Sequence, residues 1–516
     1  MHGGDKPIMI GKKKCFIASA LVMAAIFSGC ADKNSEPFHL LSGVATYDSM
    51  YALAKRTIEA NIAELGGEDV LNAGEEYNLW TRDTAYNALL GASLLYPEVV
   101  RNSLEFCVGV GNHTKGGREH PLTYESRAPP AEIEEFVIGG QYWDAISWVL
   151  GAREYYLYTG DEDFLQYAYR VTKTSLEWFE SEEFDERYGL FMGPASYADG
   201  VASYPERYET EANGSSFILD YLKRPDGTYG KCRMKALSTN CLYYRAYMIA
   251  AEMGRALGEP QSIISAYYRK GGALKEAINR NFWLESEGRY GYFIDENGTL
   301  DDHMEALGGS LAILTWVADE RRAEQIYRNQ YVTEHGVPCL WPVYPRFEPD
   351  FGRHSGTVWP FIQGFWAWAA YKYRNMSLFA GEFRDLTELV ARSNEFREIY
   401  HPVTGEPYGG MQCGFLWNST HNQTWSATAY LSMVHHNLFG MKFLRDGIEF
   451  DPLVPSGFSG KPLRLLNFGY RNATLDITIH GCGDTVDKFL IDGEKRQSAF
   501  FPAILSGGHE VEIYVQ

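Results

Sequence analysis

Apolar residues recur at helical spacing over most of this chain, in segments separated by glycine, proline and capping residues. The pattern predicts twelve helices, most of them joined in tight pairs. Consecutive helical hairpins can bury their apolar faces by closing into a double ring of inner and outer helices. We therefore expect a mainly α fold, an (α/α)6 toroid of six hairpins, with helices near 44–65, 83–95, 98–107, 141–159, 162–180, 238–257, 261–282, 304–317, 320–329, 357–374, 377–394 and 423–438.

Two further patterns divide the chain. Long segments rich in Gly, Pro and aromatic residues interrupt the helices, and loops of this length in a compact domain are usually functional. After Gly440 short runs alternate apolar and polar residues, as strands do. We expect a catalytic toroid over 44–440 and a small C-terminal β-domain over 441–516, with one active-site face walled by segments 108–140, 183–237, 283–303 and 331–356.

The first residues have the composition of an export signal. Lysines 12–14 precede the apolar run 15–27, which is too short to span a membrane. Small residues directly before Cys30 resemble a bacterial lipobox, so we expect a lipoprotein signal peptide over 1–29, lipidation of Cys30 and a polar tether over 30–43. The alternative is a plain secretory signal cut nearby. No later stretch is long and apolar enough to span a membrane, so we expect an exported lipoprotein, periplasmic or on the cell surface, held to the membrane by its lipid alone.

Charge and composition narrow the possible ligands. The formal net charge of −20 argues against nucleic acid, which needs a basic face. No cysteine pattern signals a zinc site, and we expect neither a metal nor a cofactor. The 12 Trp, 35 Tyr and 28 Phe residues fit either a large core or a cleft lined with rings that stack on sugars.

Four segments place a tryptophan beside polar or charged residues near a predicted helix start. Carboxylate and guanidinium groups bind vicinal hydroxyls, and an indole can stack on a sugar ring. Each segment also has a plainer interpretation, as a helix cap followed by core aromatics. The candidate sugar-binding residues are Trp80, Arg82 and Asp83; Gln141, Trp143 and Asp144; His354 and Trp359; and Gln423 and Trp425.

These segments resemble motifs of known glycosidases. The Trp80–Asp83 segment is similar to one in glucoamylases, and the other three resemble regions of glycogen-debranching amylo-α-1,6-glucosidases. The segment 398–405 is similar to the general-base region of trehalases and processing α-glucosidases. They occur in the order found in the six-hairpin glycosidase superfamily, over about residues 70–440. The resemblance implies an (α/α)6 barrel and an inverting glycoside hydrolase, with the candidate residues around the non-reducing sugar.

An inverting hydrolase needs a general acid and a general base. The resemblance implies that Glu398 is the base, with Glu395 and Glu406 as neighbours that could replace it. In trehalases the acid is an Asp within a Glu-Ser-Gly-x-Asp loop. Here the loop 193–200 keeps Asp199 but lacks the Glu and Gly of that pattern. Glucoamylases use a Glu before Asn-Gly-Ser-Ser-Phe, which makes Glu211 the rival acid.

The sequence therefore predicts an exo-acting hydrolase of α-linked glucosides or a related glycan, with an oligosaccharide or polysaccharide as its substrate. Two alternatives share the fold. An inverting phosphorylase would use phosphate in place of water, and a degenerate glycan-binding lipoprotein would explain the altered acid loop.

Overall fold

Each predicted helical segment contains a helix in the computed structural model, which describes residues 38–110, 113–114, 118–119, 135–137, 143–228, 230–458 and 460–516. The α-helices are α1 Ala45–Ala60, α2 Thr81–Asn87, α3 Ser93–Leu95, α4 Pro97–Phe106, α5 Trp148–Thr159, α6 Glu162–Glu183, α7 Glu206–Glu211, α8 Leu237–Leu257, α9 Gln261–Phe282, α10 Ala306–Leu314, α11 Glu320–Asn329, α12 Pro360–Lys372, α13 Met376–Ser393 and α14 Thr424–Ser432. Two π-helical turns, Ala88–Ala92 and Met433–Leu438, extend α2 and α14. This mainly α fold confirms the predicted class.

The helices form two concentric rings. Helices α2, α5, α8, α10, α12 and α14 are buried over most of their length. Each packs on the next, and α14 contacts α2, so the inner ring closes. Helices α1, α4, α6, α9, α11 and α13 lie outside and bury a single face, as amphipathic helices do.

Two glycines set the spacing within the inner ring. A Cβ atom added at Gly151 of α5 would lie 2.7 Å from the Ala85 carbonyl oxygen of α2. At Gly364 of α12 it would lie 2.8 Å from the Ala429 Cβ of α14. The missing side chains therefore let neighbouring inner helices approach closely.

Two outer helices begin at aspartate caps. Asp161 caps α6 by accepting from the Phe164 N–H at 2.9 Å, and Asp319 caps α11 by accepting from the Arg322 N–H at 2.8 Å. The first helix, however, ends at Ala60 and not at 65. Gly66 and Gly67, with φ of 69° and 91°, turn a hairpin between strands Ile62–Leu65 and Glu68–Leu71.

The long connections contain short strands. They are Val108–Val110, His113–Thr114, Arg118–Glu119 and Phe136–Val137 in one sheet; Phe184–Asp185 with Leu190–Phe191; Lys235–Ala236, Phe293–Ile294 and Leu300–Asp301 in another; Trp283–Leu284 with Arg289–Tyr290; Met304–Glu305 with Leu340–Trp341; and Met411–Gln412 with Phe415–Leu416.

The predicted C-terminal strands lie in two sheets. One has three strands, Met441–Leu444, Gly447–Phe450 and Phe500–Pro502; the other has six, in the order His39–Leu41, Leu463–Tyr470, Ala473–His480, Gly507–Val515, Val486–Ile491 and Glu494–Lys495. The first of these six strands corrects the predicted tether over 30–43. His39 pairs with Leu466 in the sheet, so the folded unit Phe38–Gln516 begins within that range.

The signal peptide over 1–29 and Cys30 lie outside the described residues. None of the helices in the described part of the chain is long and apolar enough to cross a membrane.

A buried carboxyl group links the outer ring to the inner one. Glu382 of α13 accepts a hydrogen bond from the Gln363 side chain of α12 at 3.0 Å. Burial raises the pKa of Glu382 to about 8, so the folded protein holds this proton over a range in which an unfolded chain releases it. As the pH rises from about 4.5 to about 8, the unfolded chain loses this proton and the folded protein keeps it, so the free energy of unfolding falls.

We expect Glu382→Gln, which cannot ionise, to be less destabilised than the wild type by rising pH. The difference in melting temperature, variant minus wild type, should grow between about pH 5 and pH 8, as measured by differential scanning fluorimetry. Glu388→Gln, at an exposed position of the same helix, is the control and should show a constant difference. A constant difference for Glu382→Gln would contradict this account.

Candidate active site

A pocket of about 150 Å³ opens at one end of the inner ring. Inner and outer helices alternate along the chain, so the inner helices run in one direction and their N-terminal ends share one face. The positive ends of their dipoles favour carboxylates there. The pocket is lined by Ala73, Tyr77, Trp80, Arg82, Asp83, Tyr197, Asp199, Gly200, Ser216, Phe217, Arg353, His354, Trp359, Glu398, Gln412, Trp417, Gln423 and Trp425.

Most of the candidate residues predicted from the sequence meet in this pocket. The lining includes Trp80, Arg82, Asp83, Asp199, His354, Trp359, Glu398, Gln423 and Trp425. These residues lie as far as 345 positions apart in the chain, and closure of the ring brings them together. Gln141 lies outside the described residues.

Arg82 is the centre of a buried ionic cluster. Its Nη1 donates to Asp144 Oδ2 at 3.1 Å, and its guanidinium nitrogens lie 3.8 Å from Asp83 and from Asp199. The guanidinium carbon also lies 5.5 Å from the ring centre of Trp425. Burial opposes the charge, but the three carboxylates outweigh it and raise the pKa of Arg82, so the cation is permanent.

The carboxyl groups around Arg82 differ from ordinary aspartates. Burial raises the pKa of Asp83 to about 7, against the attraction of Arg82 and with help from the charges of Asp199 and Glu398. Burial likewise raises the pKa of Asp144 to about 8. One cation thus serves three acidic groups, and protons remain available in the pocket near neutral pH.

Asp199 is held at the edge of this cluster. Its carbonyl oxygen accepts from the Ile218 N–H at 2.8 Å, and its Oδ1 lies 3.6 Å from His354 Nε2. Burial lowers the pKa of His354 to about 3, so the imidazole is neutral at neutral pH. The ring stacks on Trp359 at 4.9 Å. A neutral His354 places no second full positive charge beside Asp199.

Glu398 has different partners. Its Oε2 accepts from Arg353 Nη2 at 2.7 Å, and its Oε1 accepts from the Tyr77 hydroxyl at 3.4 Å. The side chain is almost fully buried. These two partners fix the position of the Glu398 carboxyl group in the pocket lining.

The neighbours proposed to replace Glu398 lie elsewhere. Glu395 pairs with Arg397 at 2.6 Å and with His421 at 2.9 Å, and Glu406 is exposed. Neither lines the pocket.

Three other candidates also lie outside the lining. Glu211 is exposed at the end of α7, so the geometry favours Asp199 as the acid. The Asn213–Phe217 segment that follows Glu211 does reach the pocket, through Ser216 and Phe217. Trp143 and Asp144 are buried behind the lining: Trp143 Nε1 donates to the Ala195 carbonyl at 3.1 Å, and Asp144 acts through Arg82.

Several lining residues carry no strong signal in the sequence. Arg353 stands directly before a predicted candidate, His354, and could have been found by its position. Tyr77, Gln412 and Trp417 come from loops or short strands without a regular pattern.

One trio of possible metal ligands, Asp301, Asp302 and His303, lies together among the described residues. The trio is not part of the pocket lining, and Asp301 already accepts hydrogen bonds from His303 and Tyr344.

A closed ring of six helical hairpins with a carboxylate-lined pocket at one end defines the six-hairpin glycosidase superfamily. The family model for the mannosylglycerate hydrolase MGH1-like glycoside hydrolase domain matches residues 76–426, more than half of the chain. The chain belongs to this glycoside hydrolase family. A comparison with curated proteins finds no match.

Solved structures share the fold at low sequence identity. The GH63 mannosylglycerate hydrolase of Thermus thermophilus, in complex with glucose, is 16% identical with a TM-score of 0.55, over 75% of this chain and 99% of that one. A GH78 family rhamnosidase of Bacillus sp. GL1 is 16% identical with a TM-score of 0.56, over 93% and 44%. A sialidase is 14% identical with a TM-score of 0.60, over 84% and 37%.

Gly200 provides a test of the position of Asp199. A Cβ atom at Gly200 would overlap Gln412 Oε1 and lie 2.7 Å from two ring atoms of His354. We expect Gly200→Ala to displace the adjacent Asp199 and lower kcat by roughly 10- to 100-fold, because small misplacements of reacting groups are costly. Gly457→Ala, where added atoms meet open space, is the control. Steady-state kinetics of both variants would check this, and unchanged kcat in Gly200→Ala would show that this loop tolerates movement.

Proposed function

We propose that this protein is an exo-acting, inverting hydrolase that releases a terminal hexose from α-linked glucosides or a related glycan. The observation that carries the proposal is the pair Asp199 and Glu398, which line one pocket and are held by different partners. The family description names mannosylglycerate hydrolase, and a glucose complex exists for the Thermus structure. Both support a hexose as the sugar in the pocket.

The chemistry follows from the environments of the two carboxyls. Asp199, beside a neutral His354, protonates the glycosidic oxygen as general acid. Glu398, held in place by Arg353, removes a proton from the attacking water as general base. The water adds to the anomeric carbon as the leaving group departs from the other face, so the configuration inverts. Asp83 and Arg82 hold sugar hydroxyls, and the indoles of Trp80, Trp359 and Trp425 form the apolar wall.

We expect Asp199→Asn and Glu398→Gln to lower kcat/KM by about 10²- to 10⁴-fold, because each removes one proton transfer. Glu211→Gln is the matched control and should retain activity within about twofold, since exposed substitutions away from the site change little. The sugar is first identified with p-nitrophenyl glycosides, and the variants are then compared on α-linked disaccharides, whose leaving group needs protonation. Both use the soluble form that begins at Ala31, with the anomer of the first product read by NMR.

The two variants can also be told apart. Fluoride departs from a glycosyl fluoride with little need for protonation. On such a substrate Asp199→Asn should therefore lose less activity than Glu398→Gln does. Loss of activity in Glu211→Gln instead would transfer the acid role to that residue. Turnover that depends on added phosphate would indicate a phosphorylase, and sugar binding without turnover would indicate a glycan-binding protein.

We further propose that the chain is exported and anchored through a lipid on Cys30. The support is the sequence of its first 30 residues, with a basic segment, a short apolar run and small residues before the cysteine. In a bacterial host we expect the full chain in the membrane fraction and Cys30→Ala in the soluble fraction, as judged by immunoblot. Equal distribution of both forms would rule out the anchor.

A further inference from the structure

Exposed apolar side chains cluster beside the mouth of the pocket. Phe217 is 41% exposed, Trp417 40%, Leu416 60% and Phe415 72%. Phe217 and Trp417 also line the pocket itself. Exposed groups of large apolar side chains cost solubility, and they usually mark a binding surface. This one is continuous with the site where the sugar is expected.

The hairpin that presents three of these residues has two distinct faces. Strand Met411–Gln412 pairs with Phe415–Leu416 through a turn at Cys413 and Gly414. Gln412 is opposite Phe415, and opposite residues in an antiparallel pair point to the same face. Because Gln412 lines the pocket, Phe415 lies on the pocket side of the hairpin. Leu416 is opposite Met411, on the other side.

The same hairpin is fixed to the loop that holds Asp199. Gln412 Oε1 accepts from the Ala202 N–H at 3.3 Å, and Cys413 Sγ donates to the Ser215 carbonyl at 3.2 Å. The Val201 N–H donates to the Ser216 carbonyl at 3.0 Å, which lays Phe217 alongside Gly200. The apolar side chains and the proposed acid therefore belong to one packed unit.

These apolar side chains lie beside Asp199, and that position indicates which part of the substrate they contact. A general acid protonates the oxygen that joins the sugar to its leaving group, so the leaving group lies next to Asp199. Phe217 and Trp417 line the same pocket as Asp199, and Phe415 lies on the pocket side of its hairpin, so these rings lie on the wall of the pocket near the leaving group.

Two arginines near this unit, among the residues that the structure describes, are already paired. Arg353 binds Glu398 at 2.7 Å and lies over Trp417, and Arg346 binds Glu209 at 2.6 Å. Neither is left to hold a charged leaving group, whereas aromatic rings suit the flat C–H face of another ring.

We propose that Phe217, Phe415 and Trp417 form a leaving-group platform that stacks on a ring, either a second sugar or an aromatic group. The substrate is then a glycoside with a ring as leaving group, and not one that carries a small organic acid such as glycerate. This inference rests on the proposed function, with Asp199 as the acid.

The test compares leaving groups on one sugar. The substrates are the p-nitrophenyl, methyl and glycerate glycosides of the sugar that the hydrolysis measurements described above identify. We expect Phe415→Ala and Trp417→Ala to lower kcat/KM by about tenfold on the p-nitrophenyl glycoside, mainly through KM, with little change on the methyl glycoside. Leu416→Ala, on the other face of the hairpin, is the matched control and should leave both substrates unchanged.

Two results would overturn the platform. One is equal loss on the p-nitrophenyl and methyl glycosides in both variants. The other is a higher wild-type kcat/KM for the glycerate glycoside than for the p-nitrophenyl glycoside.

Failure of the proposed function is a separate outcome, with no turnover of any glycoside. The platform is then tested by calorimetric titration with p-nitrophenyl and methyl α-glucosides. Tighter binding of the p-nitrophenyl compound, lost in Phe415→Ala and kept in Leu416→Ala, supports the platform. Equal binding of the two compounds overturns it.

Discussion

The pocket depends on the buried guanidinium of Arg82. Its carboxylate neighbours come from α2, from the turn before α5 and from the loop that contains Asp199, so one side chain fixes three segments that are far apart in sequence. A buried cation is tolerated only with such partners, and removing one member of the set would leave unpaired charge in a region of low polarity. Arg82 is a single cation shared by three carboxyl groups. Its attraction does not outweigh the effect of burial, which raises the pKa values of Asp83 and Asp144. One guanidinium therefore joins these segments and also acts on the pKa values of the carboxyl groups around it.

The helices around this cluster mainly hold the functional side chains in place. The inner helices meet closely at Gly151 and Gly364, and each packs on the next around the ring. Functional side chains stand at the N-terminal ends of these helices or in the loops that join them. This arrangement separates two demands: the apolar rings hold the fold, while the loops differ from one family to another and select the substrate.

Much of this could be predicted from the sequence, because helical periodicity is local and repeated. The twelve helical segments are present, and most of the predicted sugar-binding residues do line one pocket. The predicted end of α1 is wrong because Gly66-Gly67 suits either a helix stop or a hairpin turn, and only the partner strand decides. Glu211 is a plausible acid by its motif, but the turn at Asn213 and Gly214 directs Ser216 and Phe217 to the pocket and leaves Glu211 in solvent. Tyr77 and Trp417 could not be found, since no periodic pattern marks a loop residue that becomes close only after the ring has closed.

The first described strand has a consequence for how this chain is made. His39–Leu41 pairs with Arg464–Leu466, and α1 packs on α13 and α14. The first elements of the folded unit therefore pack against elements from the last part of the chain. Contacts between such distant segments form slowly, because a very long loop must close before they contribute. A ribosome that adds residues one after another therefore releases nearly the whole polypeptide before the ring and the sheet can close. Until then the apolar faces of the early hairpins remain without their final partners, a period in which a chain of this kind is open to chaperones and to aggregation.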